Sequence, residues 1–580
     1  MSLFRRVRML RTRRGTPGWY RRYELLLGVL VGVALLLVVI RSGYELITTP
    51  LLAALVVGFN FLVLAAFLAD VVLGFVAAPS RLQHLKRRWF DFAFFIPIAA
   101  AVAAGGTGIT FVILRQLVVV GQAFTKTRRF AGLAEQMRRQ PVRLLAFSFL
   151  VMIALGTLFL TFPAATRDGS VTGVVDALFT ATSATCVTGL VVRSTPGYWS
   201  GFGHVVILVL LQLGGLGIMT FSASLAVVLG RRLGLGARKS VSDIIGESRD
   251  VDIVRVLRYI VSFTFIAEAI GTLLLWARFL PDHPTWTGAL WYAAFHSVSA
   301  FCNAGFALFE DSLVRYGSDP VVNLAVIGLV VVGGLGFVVI RELLNRGVVS
   351  AGPLQKLRRV SNHTRLVLVT SAALVTGGAI AFFFLEYDGA LAGLSTPARL
   401  LAALFQSVTA RTAGFNTVST AALHPVTLFL WAVLMFVGAS PGGTGGGIKT
   451  TTFAIFILSV KNRVLGRDDI TIGRWLVPRD VVYRATAIAA VAGGIISLFF
   501  ALLLFTERMP FQDLLFETLS AFGTVGLSTG LTPELSDAGK LAITVLMYIG
   551  RLGPLTLALA MRARRPQATI GYPAARVMVG

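Results

Sequence analysis

Long apolar runs are the feature that most narrows what this chain can form. Five of them, at 24–40, 51–78, 142–163, 204–229 and 482–506, approach or exceed the roughly 20 residues that a helix needs to cross a bilayer. Only 14% of the 580 residues are charged, against roughly 25% in ordinary soluble domains. A soluble core could not bury that much apolar surface, so the sequence predicts an all-α integral membrane protein.

Loops rich in Lys and Arg alternate with loops that carry few cations along the chain. The formal net charge is +26, which in a soluble protein would suggest a nucleic-acid partner. Here every second loop is basic and the loops between carry few cations, which is the positive-inside pattern. The clusters lie at 5–22, 81–88, 126–143, 231–258, 341–365, 461–484 and 562–576. The pattern predicts a multi-pass protein with both termini in the cytoplasm and no nucleic-acid partner.

Four segments of the chain repeat one another. Each has Phe, three residues, Ser or Thr, Ala, then Gly after three or four more residues, followed by Leu or Phe. The segments read ALFTATSATCVTGL (177–190), AAFHSVSAFCNAGF (293–306), ALFQSVTARTAGF (403–415) and LLFETLSAFGTVGL (514–527). Their glycines recur at intervals of 116, 109 and 112 residues.

Each repeated segment lies between two long apolar runs but is too short and too rich in hydroxyls to span a membrane. It therefore enters the membrane and returns on the same side. Irregular backbone is tolerated at that depth only where it is buried in protein or lines water. Glycines that merely let helices approach are the alternative, but they do not account for the shared Phe, hydroxyl and Ala. We expect four helix–pore-loop–helix repeats around a central pseudo-fourfold pore.

The glycine turns suit a cation such as potassium. A potassium filter replaces the hydration shell of the ion with backbone carbonyls, and glycine readily adopts the dihedral angles that aim them. The turns contain no ring of carboxylates or of cations, and Arg411, the one charge nearby, is interpreted as a structural anchor. The predicted filter residues are Thr188, Gly189, Leu190, Ala304, Gly305, Phe306, Ala413, Gly414, Phe415, Val525, Gly526 and Leu527.

The chain resembles the Trk/Ktr/HKT superfamily of potassium transporters over about residues 140–565, most closely the membrane subunit of Ktr-type systems. Besides the pore segments, the strings QLGGLGIMTF (212–221), GGLGFVVI (333–340), ASPGGTGGGIKTTTF (439–453) and YIGRLGPLTLALA (548–560) match. The resemblance implies potassium uptake across a bacterial inner membrane, a homodimer, and a cytosolic nucleotide-binding regulatory subunit of the RCK type. Potassium is then the substrate, sodium is a possible stimulating or coupling ion, and no covalent cofactor is expected.

The resemblance also implies a gate below the filter, in the interrupted helix at 438–452. Six glycines and Pro441 within ten positions cannot hold a straight helix, although a passive kink is the alternative. The expected gate residues are Gly438, Ser440, Pro441, Gly442, Gly443, Thr444, Gly445, Gly446, Gly447, Lys449 and Arg551. Arg551 lies inside the last apolar run, where a buried cation is usually functional or paired. The alternative for Arg551 is a packing salt bridge to Glu268, Glu386 or Glu517.

The predicted domains are a basic tail with about four extra transmembrane helices at 1–130, and then the four repeats. The repeats are assigned to 140–235, 250–345, 360–462 and 480–565, followed by a cytoplasmic tail at 566–580. The first region faintly resembles a voltage sensor, but its fourth helix carries only Arg115 within the membrane. A sensor needs several gating charges, so we expect no steep voltage dependence.

Other function classes fit the sequence less well. No catalytic constellation is present, so an enzyme is not expected, and the six scattered histidines propose no metal site. A relative that conducts sodium or couples to it stays open. A membrane sensor or scaffold that no longer conducts is a further alternative, although the glycines of all four repeats are intact.

Overall fold

A computed structural model describes residues 141–232, 253–344, 360–467, 469–472 and 475–553, with short helical pieces at 54–55 and 58–59. The four N-terminal spans predicted before residue 130 lie outside the described residues, apart from those pieces. The described chain is helical, which confirms the predicted all-α class. One small departure is a two-stranded antiparallel ribbon, β1 (Thr471–Ile472) and β2 (Trp475–Leu476), which the sequence did not predict.

The helices fall into four successive groups of similar order. The first has α1 (Pro141–Leu160), α2 (Val174–Thr185) and α3 (Gly201–Arg232); the second has α4 (Ile253–Phe279), α5 (Trp286–Cys302), α6 (Pro320–Leu335) and α7 (Phe337–Leu343). The third has α8 (Asn362–Leu385), α9 (Thr396–Thr409), α10 (Pro425–Phe436) and α11 (Thr450–Val464). The fourth has α12 (Arg479–Thr506), α13 (Phe511–Gly523) and α14 (Asp537–Leu552). Short helical turns occur at Pro163–Ala165, Thr195–Tyr198, Leu280–Asp282, Val314–Tyr316, Thr420–Ala422 and Thr532–Glu534.

Among the described residues, five helices are long and apolar enough to cross a membrane. The helix pair α6 and α7 makes a sixth candidate, bent by 105° at its break. The short helices α2, α5, α9 and α13 carry the repeated segments and are buried rather than lipid-facing along most of their length. The protein is therefore a multi-pass membrane protein with four short internal helices.

Each of the four short helices packs against a helix of the preceding group, and the short helix of the first group packs against the fourth group. Helix α2 contacts α14, α9 contacts α6, and α13 contacts α10. For α5, a side-chain carbon added at Gly215 on α3 would lie 3.2 Å from the Cβ of Cys302. Packing of each short helix on its predecessor, with the first on the fourth, closes the groups around one axis.

Small residues allow close contacts within the groups as well. In three groups, the helix that follows the short helix carries a glycine packed against the end of the short helix. A side chain at this position would overlap a backbone carbonyl of the short helix. The pairs are Gly214 with Thr185, Gly333 with Phe301, and Gly550 with Phe522. Such backbone approach is the usual role of glycine between membrane helices. The four shared phenylalanines lie on the short helices and are all buried: Phe179, Phe295, Phe405 and Phe516.

Residues 158–173 and 198–204 belong to a small compact unit of the chain. Within it, Thr166 and Trp199 form an isolated antiparallel bridge, and the Ser200 hydroxyl donates to the carbonyl of Ala164 at 2.6 Å. All four repeated segments lie in the larger unit, which comprises the other described residues from 141 onwards.

Candidate functional site

The glycines of the four repeated segments form a closed ring. A side-chain carbon at Gly305 would lie 2.7 Å from the Cα of Gly414, and one at Gly414 would lie 3.3 Å from the Cα of Gly526. A side-chain carbon at Gly526 would lie 2.9 Å from the Cα of Gly189, and one at Gly189 would lie 3.2 Å from the Cα of Gly305. The order of contacts follows the order of the repeats and returns to its start. Only residues without a side chain allow four turns to meet so closely.

All four ring glycines have positive φ angles: +96° at Gly189, +68° at Gly305, +79° at Gly414 and +94° at Gly526. Residues with a Cβ rarely adopt such angles. The glycines are therefore required twice, once by the backbone conformation and once by the space at the axis.

The shared hydroxyl residue fixes each turn through its backbone. In every repeat, the N–H of the residue before the glycine donates to the carbonyl of the shared Ser or Thr, which lies in the last turn of the short helix. The pairs are Thr188 to Ser183 (2.8 Å), Ala304 to Ser299 (2.8 Å), Ala413 to Thr409 (3.0 Å) and Val525 to Ser520 (2.9 Å). This bond satisfies one of the carbonyls that a helix end leaves unpaired, and it gives the four turns the same start.

The structure adds four residues that the sequence pattern did not single out. Two positions before each glycine, the residue also has a positive φ: Val187 (+56°), Asn303 (+60°), Thr412 (+68°) and Thr524 (+50°). Positive φ is uncommon outside glycine and a genuine outlier at a β-branched residue, and strained backbone of this kind clusters at functional sites. The four residue types differ, so no shared sequence signal marked the position.

Carbonyl groups face neighbouring turns at the ring. A side-chain carbon at Gly305 would lie 2.9 Å from the oxygen of Ala413, and one at Gly414 would lie 2.5 Å from the oxygen of Val525. A side-chain carbon at Gly526 would overlap the oxygen of Thr188, and one at Gly189 would overlap the oxygen of Ala304. The ring is thus rich in backbone oxygens, which are suited to replacing the water around an unhydrated monovalent cation.

The serine hydroxyls support two of the turns. The N–H of Gly189 donates to Ser183 Oγ and that of Gly526 donates to Ser520 Oγ, both at 3.1 Å. Thr409 acts differently, because its hydroxyl donates to the carbonyl of Phe415 at 2.5 Å. Within the described structure, the hydroxyl of Ser299 has no hydrogen-bond partner.

We expect Ser183→Ala to weaken the first turn, because it leaves the buried N–H of Gly189 without its acceptor. The cost of such an unpaired group is about 1–3 kcal/mol, so the thermal midpoint of the purified protein in detergent should fall. Ser299→Ala is the matched control and should leave the midpoint unchanged. Equal shifts in the two variants would contradict this role for the hydroxyl.

A glycine-rich loop, residues 437–449, joins α10 to α11 next to the ring. It is shorter than the interval 438–452 expected from the sequence, because Thr450 already begins α11. The Thr444 hydroxyl donates to Asn303 Oδ1 at 2.9 Å, and the N–H of Gly446 donates to Thr524 Oγ1 at 3.0 Å. The loop therefore contacts the turns of two repeats through the residues with unusual φ.

The loop is folded tightly on itself and on α6. Gly438 N–H donates to the carbonyl of Ile448 at 2.9 Å, and a side chain at Gly438 would overlap the backbone of Gly446. The N–H groups of Ser440 and Thr444 donate to the carbonyls of Gly334 and Gly333 at 3.0 and 3.1 Å. Its glycines are thus needed for close backbone packing, as well as for interrupting the helix.

Arg551, near the end of α14, is only 2% exposed. One guanidinium nitrogen donates to the carbonyl of Thr444 in the loop, and the other donates to the carbonyl of Gly214 at 2.6 Å. In the described chain it pairs with none of the three carboxylates considered above. Glu268 accepts from Gln212, Glu386 from the N–H groups of Ala390 and His424, and Glu517 from Thr532. The buried cation therefore fastens the loop through backbone carbonyls.

A second interruption, at Gly336 between α6 and α7, was not predicted from the sequence. Gly336 has a φ of +86°, and the following residue, Phe337, donates its N–H to the carbonyl of Gly442 in the loop at 3.4 Å. The string GGLG at 333–336 contained the signal, because glycine with positive φ commonly ends a helix. Because the residues around this string are apolar, the segment resembled one continuous membrane-spanning helix.

Four re-entrant turns that meet in one ring within a bundle of apolar helices define a pore-loop membrane protein. The family model described as TrkH, a cation transport protein, matches residues 111–571. The chain belongs to this family, which comprises membrane ion transporters rather than enzymes.

Curated relatives agree over most of the chain. It is 39% identical over 440 residues to the Ktr system potassium uptake protein B of Vibrio alginolyticus, covering 76% of this chain and 94% of the relative. It is 37% identical over 446 residues to the protein of the same name from Bacillus subtilis, covering 77% and 98%. It is 34% identical over 450 residues to the potassium/sodium uptake protein NtpJ of Enterococcus hirae, covering 76% and 98%.

The fold is that of the potassium transporter TrkH from Vibrio parahaemolyticus. The TM-score with that crystal structure is 0.63 at 19% identity, covering 83% of this chain and 97% of the other. This likeness confirms the predicted fold class. The family match and the curated relatives confirm the predicted superfamily.

Proposed function

We propose that the protein transports potassium ions across a bacterial inner membrane through the axis of the glycine ring. The observation that carries the proposal is the cyclic contact of Gly189, Gly305, Gly414 and Gly526. Four turns with backbone oxygens around one axis can replace the hydration shell of a cation. The relatives named as potassium uptake proteins support potassium as the transported ion.

The ring and its flanking residues are proposed as the selectivity filter. The ion would be held by backbone carbonyls of the three residues at each turn: 188–190, 304–306, 413–415 and 525–527. No side-chain carboxylate is required for this mode of binding. Most of the four turns carry one glycine, whereas each filter segment of an ordinary potassium channel carries two. We therefore expect fewer ordered ion sites than in those channels.

The loop at 437–449 and Arg551 are proposed as the gate. The contacts of Thr444 and Gly446 with two of the turns support this role, as does the bond from Arg551 to the Thr444 carbonyl. Lys449 adds a second cation, since its Nζ donates to the carbonyl of Gly445 at 2.5 Å. Two positive charges and a folded loop below the ring would oppose the passage of a cation.

The assembly around this pore is also part of the proposal. The multi-pass chain would have both termini in the cytoplasm, the four repeats assigned above, and an N-terminal region at 1–130 that packs around the pore or holds a partner. A homodimer and a cytosolic nucleotide-binding subunit of the RCK type would complete the transport system. The relatives are named as components of a Ktr system, which supports a partner subunit.

Sodium is the second candidate ion, either transported or coupled. The 34% identity to a relative named as a potassium/sodium uptake protein favours this possibility. The two readings differ in the ratio of potassium to sodium flux through the purified protein in liposomes. A ratio near one would favour a sodium-conducting protein.

Gly305→Asp should abolish growth rescue of a potassium-uptake-deficient bacterium at low potassium. The new side chain would collide with Gly414 and place a carboxylate at the axis. Gly393→Asp is the control, because Gly393 also has a positive φ, of +84°, but lies in open space. The control should rescue like the parent chain. Rescue by both variants would contradict transport through the glycine ring. Failure of both the parent chain and the control to rescue would contradict potassium transport and favour a non-conducting protein.

A further inference from the structure

A cavity of about 270 Å³ lies between the second and third helix groups. Its walls are mainly aliphatic, and they include Val330 and Val331 from α6, Leu368 and Val375 from α8, and Val408 from α9. Val331 is 37% exposed, so one side of the cavity reaches the surface that the helices present to lipid. The wall chemistry favours an apolar ligand that enters from the membrane.

Arg411 is the one charged residue of this lining. Its two terminal nitrogens donate to the carbonyl and hydroxyl of Ser371, both at the long distance of 3.4 Å. Its buried Nε has no hydrogen-bond partner in the described part of the chain, and no ion pair with a described carboxylate is formed. A desolvated cation without a counter-charge is costly, so an anion beside the guanidinium would be strongly favoured.

The inner end of the cavity reaches the gate region. Asn303 and Ala439 contribute to its wall, and Asn303 Oδ1 accepts the hydrogen bond from Thr444. A ligand that fills the cavity would therefore pack beside the loop at 437–449. Binding in this cavity can be measured without any transport of ions.

We propose that the cavity binds a single-chain anionic amphiphile, a fatty acid, with its carboxylate on Arg411 and its tail along the aliphatic wall towards the lipid. The planar guanidinium fork matches a carboxylate in two-point geometry. The volume lies just below the range of about 300–1,000 Å³ that is typical of ligand pockets. It accommodates one chain end but not a phospholipid headgroup with two chains.

The test measures labelling of the full-length protein, in nanodiscs of neutral phosphatidylcholine, by a photoactivatable palmitate analogue. Oleate should compete with the label, and methyl oleate, which lacks the charge, should compete at least tenfold less well. Arg411→Gln should weaken labelling at least tenfold, with Arg411→Lys intermediate because it keeps the charge but loses the fork. Val331→Trp should reduce labelling by filling the mouth while leaving Arg411 in place.

Leu324→Trp is the matched control, because Leu324 is a lipid-facing residue of the same helix, 56% exposed and outside the cavity. It should label like the parent chain. Unchanged labelling of both Arg411→Gln and Val331→Trp would overturn the proposal, as would equal competition by methyl oleate. Competition by phosphatidic acid but not by oleate would also overturn it, in favour of a two-chain lipid.

Discussion

Deleting residues 442–447 should raise potassium flux through the purified protein in liposomes by on the order of tenfold, which corresponds to about 1.4 kcal/mol. The deletion removes Thr444 and Gly446, whose hydrogen bonds hold the loop against the turns of the second and fourth repeats. It also removes the carbonyl to which Arg551 donates. Without these contacts, nothing in the loop would occupy the space next to the ring, so the barrier to ions should fall.

Variants of Arg551 provide a second test of the gate in the same flux assay. Arg551→Gln should also raise flux, because it removes a buried positive charge and the bond to Thr444 together. Arg551→Lys keeps the charge but not the two-point bond to Thr444 and Gly214, so it should fall between the parent chain and Arg551→Gln. If the deletion leaves flux normal or lowers it, the loop is a kink and the gate assignment is wrong.

Replacing the first ring glycine, Gly189→Ser, should reduce discrimination against sodium by on the order of tenfold. Gly189 has a φ of +96°, which costs an L-residue about 1–2 kcal/mol or more. Its new Cβ would also lie 3.2 Å from Gly305 Cα and overlap the carbonyl oxygen of Ala304. Relief of that overlap must move a ring carbonyl away from the position that fits potassium. The measurement is the potassium-to-sodium ratio of flux or of reversal potential in bilayers.

Gly393→Ser isolates the effect of the ring from the effect of backbone strain. Gly393 has a φ of +84° but nothing within 4 Å of an added side-chain carbon. Its replacement should therefore leave the ion ratio at the parent value, although it introduces similar strain. If Gly189→Ser also keeps the parent ratio, the ring is not the element that selects the ion.

The repeated segments show which features of the turns could be predicted from the sequence. Their spacing and shared Phe, hydroxyl and glycine predicted four re-entrant turns, because a short segment in a membrane must return and must bury its backbone. The structure adds the bond that shapes each turn, from the N–H of the residue before the glycine to the carbonyl of the hydroxyl residue. The pattern could not reveal the left-handed residues Val187, Asn303, Thr412 and Thr524, since their side chains share nothing and the conformation belongs to the backbone.

By itself, the sequence determined the membrane class, the number of repeats and the glycines that a crowded axis demands, because apolar length, periodic recurrence and the missing Cβ are properties of residue types. Only the tertiary structure decided that the glycines touch in a closed ring, that the helix pair at Gly336 bends by 105°, and what Arg551 binds. Its partners are the backbone carbonyls of Thr444 and Gly214. Every residue carries such a carbonyl, so no residue type could have marked which two would meet the guanidinium.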